Sequence, residues 1–289
     1  MDTYKLKTDK PYYIFVSDIH GNKNTLQLID QARHDYPIAT LVGGGDYIDG
    51  RKNAKDVIEY LMHQKNAIIL RGNHEQMMLN FADGLDYYDS NLEPLWYANG
   101  GKKTVRSFFK RQYRTVKAQK LVKNSKYYEY FNSLAVMLDT PHYIFVHAGV
   151  KPRVNYDSPN CYTSDKYDVN NNPYMFYRLW AREDYWNDET GFFAHNLTGK
   201  TIVTGHTPTS LIHGKFKIGQ TISTRPFTKN IPLKIQYYNE PARWFTDGGS
   251  HSTYKNNWGN VCVFDNQGRL IKVYNYENQR GKPYNEQIH

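Results

Sequence analysis

The chain has 289 residues, 39% hydrophobic and 15% aromatic, and a formal net charge of +9 at pH 7. That is material for one large domain or two small ones, with a globular rather than a disordered composition. No apolar stretch reaches the length of a membrane span, no signal-peptide core precedes the first apolar run, and a cytoplasmic protein is expected. Cys161 and Cys262 lie far apart, and two reduced thiols are expected rather than a disulfide.

Short apolar runs recur along the chain, and five of them end in polar segments. The run 12–16 predicts a strand that opens into Ser17-Asp18-Ile19-His20-Gly21-Asn22, with a helix through 23–34. A strand over 39–43 leads to Gly45-Asp46-Tyr47-Ile48-Asp49, and a helix near 53–64 carries Val57, Ile58, Leu61 and Met62 on one face. A strand over 67–70 leads to Gly72-Asn73-His74-Glu75 and a further helix. From about 80 to 133 the pattern is helical, broken by Asn99-Gly100-Gly101, and reads as an insertion in a single domain over 1–289. A hairpin of 134–138 and 142–146 turns at Asp139-Thr140-Pro141 and ends in Val146-His147-Ala148-Gly149. Residues 150–173 read as a long loop. Short strands follow over 201–204, about 215–222, 233–238, 242–246, 260–264 and 270–275, the first ending in Thr204-Gly205-His206-Thr207-Pro208. Strand–helix alternation followed by a run of strands predicts an α/β fold with two sheets packed face to face and flanked by helices.

Asp, His and Asn are ligands for divalent metals, and residues after buried strands face the crevice where α/β sheets bind ligands. Asp18 and His20 are two apart, so at the end of an extended strand both side chains point the same way. Asp46 can bridge two ions, while Asn73, His147 and His206 supply an amide oxygen and two imidazoles. Two ions held about 3.5–4 Å apart can bind a phosphate and acidify a water. Asp49 and His74 fall just outside the ligand positions, and a carboxylate that orients a histidine can make it a general acid. A lone Asp-x-His or Gly-Asn-His is more often turn chemistry. Five such segments at five strand ends point instead to a two-metal site. His251 and the other histidines outside the segments read as surface or core residues. Glu75 reads as a first-turn carboxylate that complements the helix dipole, and Asn22 as local loop support.

These segments, in this order, resemble those of the calcineurin-like metallophosphoesterases, in particular the phosphoprotein phosphatase branch and its diadenosine tetraphosphatase relatives. Asn99-Gly100-Gly101-Lys102-Lys103-Thr104 and Leu179-Trp180-Ala181-Arg182 are similar to two further segments of those relatives. The resemblance implies a four-layer α/β/β/α sandwich and hydrolysis of phosphate esters by a hydroxide held on two metal ions. Mn²⁺ is the expected metal, with Fe or Zn²⁺ also compatible. It further implies that Asp18, His20 and Asp46 hold one ion and Asp46, Asn73, His147 and His206 the other. His74 would be the general acid, Asp49 its orienting partner, and Arg182 and Asn73 ligands of the substrate phosphate. The family's second segment usually continues as Asp-Arg-Gly; here it is Asp49-Gly50-Arg51, so Arg51 either still reaches the phosphate from one place further on or is turned away. The expected substrates are phosphoserine, phosphothreonine or small phosphomonoesters. The alternatives are a dinucleoside polyphosphate and, in another class, a non-catalytic polyanion-binding role.

The charge is concentrated. Residues 102–126 hold ten basic residues and no acidic one, which leaves 27 basic residues against 28 acidic ones elsewhere. Lys103, Arg106, Lys110, Arg114 and Lys117, opposite Val105, Phe109, Gln112 and Val116, predict one amphipathic helix with a basic stripe. Beside an anion-hydrolysing site such a stripe would attract polyanionic substrates.

Overall fold

The structure is a computed structural model that describes residues 3–85, 93–111, 113–150, 173–186, 196, 198–212, 221–222, 230–236, 239–252 and 256–279. Its strands are β1 (Thr3–Lys5), β2 (Tyr12–Val16), β3 (Thr40–Gly43), β4 (Ala67–Ile69), β5 (Met137–Asp139), β6 (Tyr143–Val146), β7 (Thr201–Thr204), β8 (Thr221–Ile222), β9 (Leu233–Gln236), β10 (Arg243–Phe245), β11 (Val261–Asp265) and β12 (Leu270–Tyr274). Its helices are α1 (Lys23–Asp35), α2 (Ala54–Met62), α3 (Asn73–Asp83), α4 (Lys102–Phe109), α5 (Thr115–Lys123), α6 (Lys126–Ser133), α7 (Pro173–Trp180) and α8 (Tyr276–Gln279).

Two mixed sheets form. One has the order β12-β11-β2-β3-β4, with β2, β3 and β4 parallel and β11 antiparallel to β2. The other has the order β1-β5-β6-β7-β10-β9-β8, with β6, β7 and β10 parallel. Strand periodicity decides which residues join the sheets. Along β2, Tyr13 and Phe15 enter the core between the sheets with Phe145, Val203, Trp244 and Phe264. Ile14 and Val16 point the other way, into a core with Leu28 of α1, Val57 and Ile58 of α2, and Phe81 of α3. Phe15 stacks on Phe145 across the interface at 5.6 Å between ring centres. Each such fully buried side chain contributes about 1.5–3 kcal/mol by leaving water. On the outer face of the larger sheet, Ile144, Val146 and Ile202 pack against Met175 and Leu179 of α7. The architecture is the expected helix–sheet–sheet–helix sandwich.

Helices α4, α5 and α6 fill the helical stretch, and Val105, Phe108, Ala118, Val122, Tyr127 and Phe131 join the same core as α1 and α2. The single basic helix expected over 103–117 is two helices. Lys110 closes α4 in the left-handed conformation at φ 62°, and the chain restarts after the extended Arg114. The restart rotates Val116 out of the apolar face, leaving it 77% exposed. Lys102, Lys123 and Lys126 pair with Glu93, Asp83 and Glu59, while Arg106, Lys110, Arg111, Arg114, Lys117 and Lys120 stay exposed. β1, at the edge of the larger sheet, was not anticipated, because three exposed or half-buried residues carry no alternation. The loop expected over 150–173 falls almost wholly outside the described residues, as does Cys161; Cys262 is a buried free thiol.

Candidate metal centre

The two sheets bring the ends of β2, β3, β6 and β7 together with the start of α3, and the candidate residues converge there. Asp18, His20, Asp46, Asn73, His147 and His206 are all buried. Ligating atoms of His20, Asp46 and His74 lie within 4.8 Å of one another, and so do those of Asp46, His147 and His206. Asp46 is common to both groups: its Oδ2 is 3.7 Å from His20 Nε2 and 3.4 Å from His147 Nε2. Asp18 stands alongside, where its Oδ2 accepts the His206 amide at 2.9 Å.

The route by which these side chains converge differs from the sequence expectation. Asp18 and His20 do not continue an extended strand. Both have positive φ, at 55° and 49°, as do Asp46 at 60°, Asp49 at 65° and His206 at 67°. Non-glycine residues seldom adopt this region, and such strain persists only where surrounding structure imposes it. At Asp46 the constraint is Glu75. Its fully buried carboxylate accepts the amides of Asp46 and Tyr47 at 2.8 Å, Gly72 at 2.9 Å and Ile48 at 3.4 Å. Glu75 therefore clamps the second and third segments together, a larger part than the first-turn position suggests. At Gly205, a Cβ would overlap Asp18 Oδ2 and Ser17 Oγ, so only glycine lets β7 approach β2 here.

The donor set fits a cation. His147 Nδ1 is tied to the Gly44 carbonyl at 2.9 Å, which turns Nε2 toward Asn73 Oδ1 at 2.8 Å, His206 Nδ1 at 3.0 Å and Asp46 Oδ2 at 3.4 Å. These four atoms converge on one point at separations that suit a cation, since ligands about 2.1 Å from one metal ion sit roughly 3 Å apart. His20 is oriented likewise, with Nδ1 on the Ile48 carbonyl at 3.0 Å and Nε2 free for an ion. In the metal-free chain a proton serves instead. Burial works against the charge on His147, but Asp46 outweighs it and lifts the imidazole to about 9. Burial and the neighbouring His147 push His206 well below the ordinary histidine range, and its buried Nε2 has no hydrogen-bond partner. Burial raises the Asp18 carboxyl to about 6, and burial with the Asp18 charge raises Asp247, which lies beside the cluster, well above the carboxylate range.

Asp49 and His74 form a dyad beside this set. His74 Nδ1 meets Asp49 Oδ2 at 2.7 Å, leaving Nε2 facing the cluster, 3.8 Å from Asp46 Oδ2. Asp49 is itself fixed by Trp96 Nε1 at 3.0 Å and by Thr104 Oγ1 at 2.5 Å. Burial lowers the His74 pKa, but Asp46 and Asp49 overcome it and lift the imidazole to about 9. The Asn99-Gly100-Gly101 segment explains its place here: Gly100 turns at φ 107°, and a Cβ would press on Asp49 Cβ at 3.1 Å.

Arg182 donates to Thr207 Oγ1 at 3.0 Å and to the His206 carbonyl at 3.3 Å, at the rim of the centre. Arg51 is not brought to the cluster in this way. Its guanidinium donates to the carbonyls of Ser250 at 3.0 Å, Ser252 at 2.6 Å and Asn257 at 3.2 Å, backbone acceptors outside the ligand cluster. His251 was passed over in the sequence, yet its ring lies 4.7 Å from that of His20 and 6.2 Å from that of His74. No ligand spacing in the sequence marks it.

The sequence model of the calcineurin-like phosphoesterases matches residues 12–253. The chain belongs to that family. It is a hydrolase, and its family works with two metal ions. Solved structures share the fold. A protein provisionally named a diadenosine tetraphosphatase is 18% identical with a TM-score of 0.51, over 95% of this chain and 97% of its own. A metallophosphoesterase from Sphaerobacter thermophilus is 11% identical with a TM-score of 0.50, over 96% of each chain. A cold-active protein-tyrosine phosphatase of a psychrophilic Shewanella species is 16% identical with a TM-score of 0.50, over 96% of this chain and 80% of its own. No curated protein matches the sequence. No described helix is long and apolar enough to cross a membrane.

Proposed function

We propose that this phosphoesterase is a Mn²⁺-dependent phosphomonoesterase of the serine/threonine phosphatase type. The observation that carries the reading is the dyad: His74 Nδ1 is spent on Asp49, and Nε2 is turned to Asp46, the residue common to both potential ligand groups. In this reading Asp18, His20 and Asp46 would hold one ion and Asp46, Asn73, His147 and His206 the other. The ions, when bound, supply Lewis acidity toward the phosphate and acidify the attacking water. Arg182 and Asn73 hold the phosphate oxygens, and His74 delivers its Nε2 proton to the departing alcohol oxygen. Asp49, shut from water and fixed by Trp96 and Thr104, keeps the imidazole in that tautomer and stabilises its charged form. The exposed basic residues of α4 and α5 would draw anionic substrates toward the site.

The test is hydrolysis of phenyl phosphate, whose leaving group needs a proton, by metal-stripped protein with and without Mn²⁺. Activity is expected only with metal, and His74→Asn is expected to lower kcat by roughly 10²-fold or more. Folded protein inactive with Mn²⁺, Fe and Zn²⁺ alike would overturn the reading and favour a polyanion-binding role.

The pH profile follows from the same dyad. A general acid must carry its proton, and His74 holds one up to about 9 in the metal-free chain. Bound metal offsets the Asp46 charge and brings that limit down. Activity is therefore expected to fall on the alkaline side as pH rises toward 9, and this limb should vanish in His74→Asn. An unchanged limb in that variant would assign it to another group.

A further inference from the structure

Ser250 and Ser252 stand either side of His251 in the chain. Arg51 donates Nε to the carbonyl of the first at 3.0 Å and Nη2 to that of the second at 2.6 Å, so its planar fork grips the backbone on both flanks of His251. Arg51 Nη2 also reaches the Asn257 carbonyl at 3.2 Å, and Asn22 Nδ2 donates to the same oxygen at 2.7 Å. The grip places one side chain at the metal centre. The His251 ring stands edge-on to His20 with 4.7 Å between centres, and its centre is 6.2 Å from that of His74. His251 is exposed, and its ring nitrogens have no hydrogen-bond partner among the described residues.

Lys103 comes to the same place from α4. Its ammonium donates to the Gly50 carbonyl at 2.7 Å, and Gly50 lies against both histidines: a Cβ there would stand 3.0 Å from His20 Cβ and 3.2 Å from His251 Cδ2. An ammonium has three N–H donors, and Gly50 occupies one of them. Lys103 thus ties the basic stretch to the loop that carries Asp49. Hydrogen-bond donors accordingly flank the centre on two sides. Arg182 is fixed beside His206, which belongs to one ligand group, while His251 and Lys103 stand beside His20, which belongs to the other. A phosphate resting between two metal ions presents oxygens to both sides, and each oxygen gains from a charged or well-aimed donor.

We propose that His251 and Lys103 hold the substrate phosphate on the His20 side of the centre, and that Arg51 is the positioning residue that keeps His251 there. The inference rests on the phosphomonoesterase reading, which puts a phosphate at this centre. A neutral imidazole suffices, because its one N–H donates to a phosphate oxygen. The probe is inorganic phosphate titrated by calorimetry into the Mn²⁺-loaded protein, with phenyl phosphate turnover measured beside it. His251→Ala and Lys103→Met should each weaken phosphate binding by about tenfold or more, the scale of a lost hydrogen bond to a charged group, and lower kcat/KM by a similar factor. Lys103→Arg, which restores a charged donor, should recover most of that loss. Mn²⁺ affinity should stay at the parent value in all three. Arg51→Met should reproduce most of the His251→Ala loss and add little to it in the double variant, because residues that act through one another are not additive. His251→Ala and Lys103→Met, at exposed positions, carry the test should Arg51→Met fail to fold. Unchanged phosphate binding in either of them would overturn the assignment. So would a loss that appears in Mn²⁺ affinity instead, which would make the residue a support of the ligands, or an unaltered protein that binds no phosphate. Additive losses in Arg51→Met and His251→Ala would overturn the part given to Arg51. If phenyl phosphate is not hydrolysed, the phosphomonoesterase reading fails by itself, and phosphate binding, which needs no turnover, still decides the inference.

Discussion

Asp46→Asn is expected to cost at least roughly 10³-fold in metal-dependent hydrolysis while leaving the chain folded. Asp46 is the one carboxylate shared by both ligand groups, and its Oδ2 lies within 3.8 Å of His20, His74 and His147. An amide keeps the shape and the Oδ1 that accepts the His74 amide at 3.0 Å. It removes the negative charge that holds two cations near each other and substitutes, on one side, a donor facing imidazole nitrogens. Burial opposes ionisation of Asp46, yet His147 and His74 keep its carboxyl well below the usual carboxylate range. That charge is thus present at every pH where the enzyme would act. Mn²⁺ titration followed by calorimetry, with phenyl phosphate turnover in parallel, reads both effects. Retained high-affinity binding of two ions would remove Asp46 from the bridging position.

Glu75→Ala is expected to have the largest effect on stability, on the order of 3 kcal/mol or more, since it strands several buried amides at once. For a chain of this size that is a fall of roughly 6–12 °C in Tm. The clamp spans Asp46, Tyr47, Ile48 and Gly72, so the loops carrying Asp46, Asn73 and His74 would relax with it. Weaker Mn²⁺ binding should accompany the lower Tm. Glu75→Gln, which retains one acceptor oxygen, should fall between. A Tm within a degree or two of the parent in Glu75→Ala would show that water or relaxation replaces the carboxylate.

Much of this was legible in the sequence. The runs 12–16 and 201–204 coincide with β2 and β7, because buried strands need apolar residues on both faces and little else competes for that pattern. The candidate ligands stood out because each follows such a run and each is Asp, His or Asn. Other features lay beyond any local pattern. The sequence left open whether Arg51 still reaches the phosphate, and the carbonyls it donates to lie some 200 residues away in the chain, at Ser250, Ser252 and Asn257. His251 carried no ligand spacing and reaches the site only because β10 and β11 bring its loop there. The basic stretch satisfied helical periodicity and still broke at Lys110, because α4 packs on α2 while α5 packs on α3.

The sequence by itself therefore determined the chemistry available to this protein: which donor atoms it carries, and at which strand ends. Tertiary structure decided their directions. Five of the candidate residues sit at positive φ, a conformation that none would choose in isolation, held there by contacts such as the buried Glu75 carboxylate and the close passage of Gly205 over Asp18. Local preference is worth about a kilocalorie per residue, and only the summed burial of two packed sheets can override it at five places in one site.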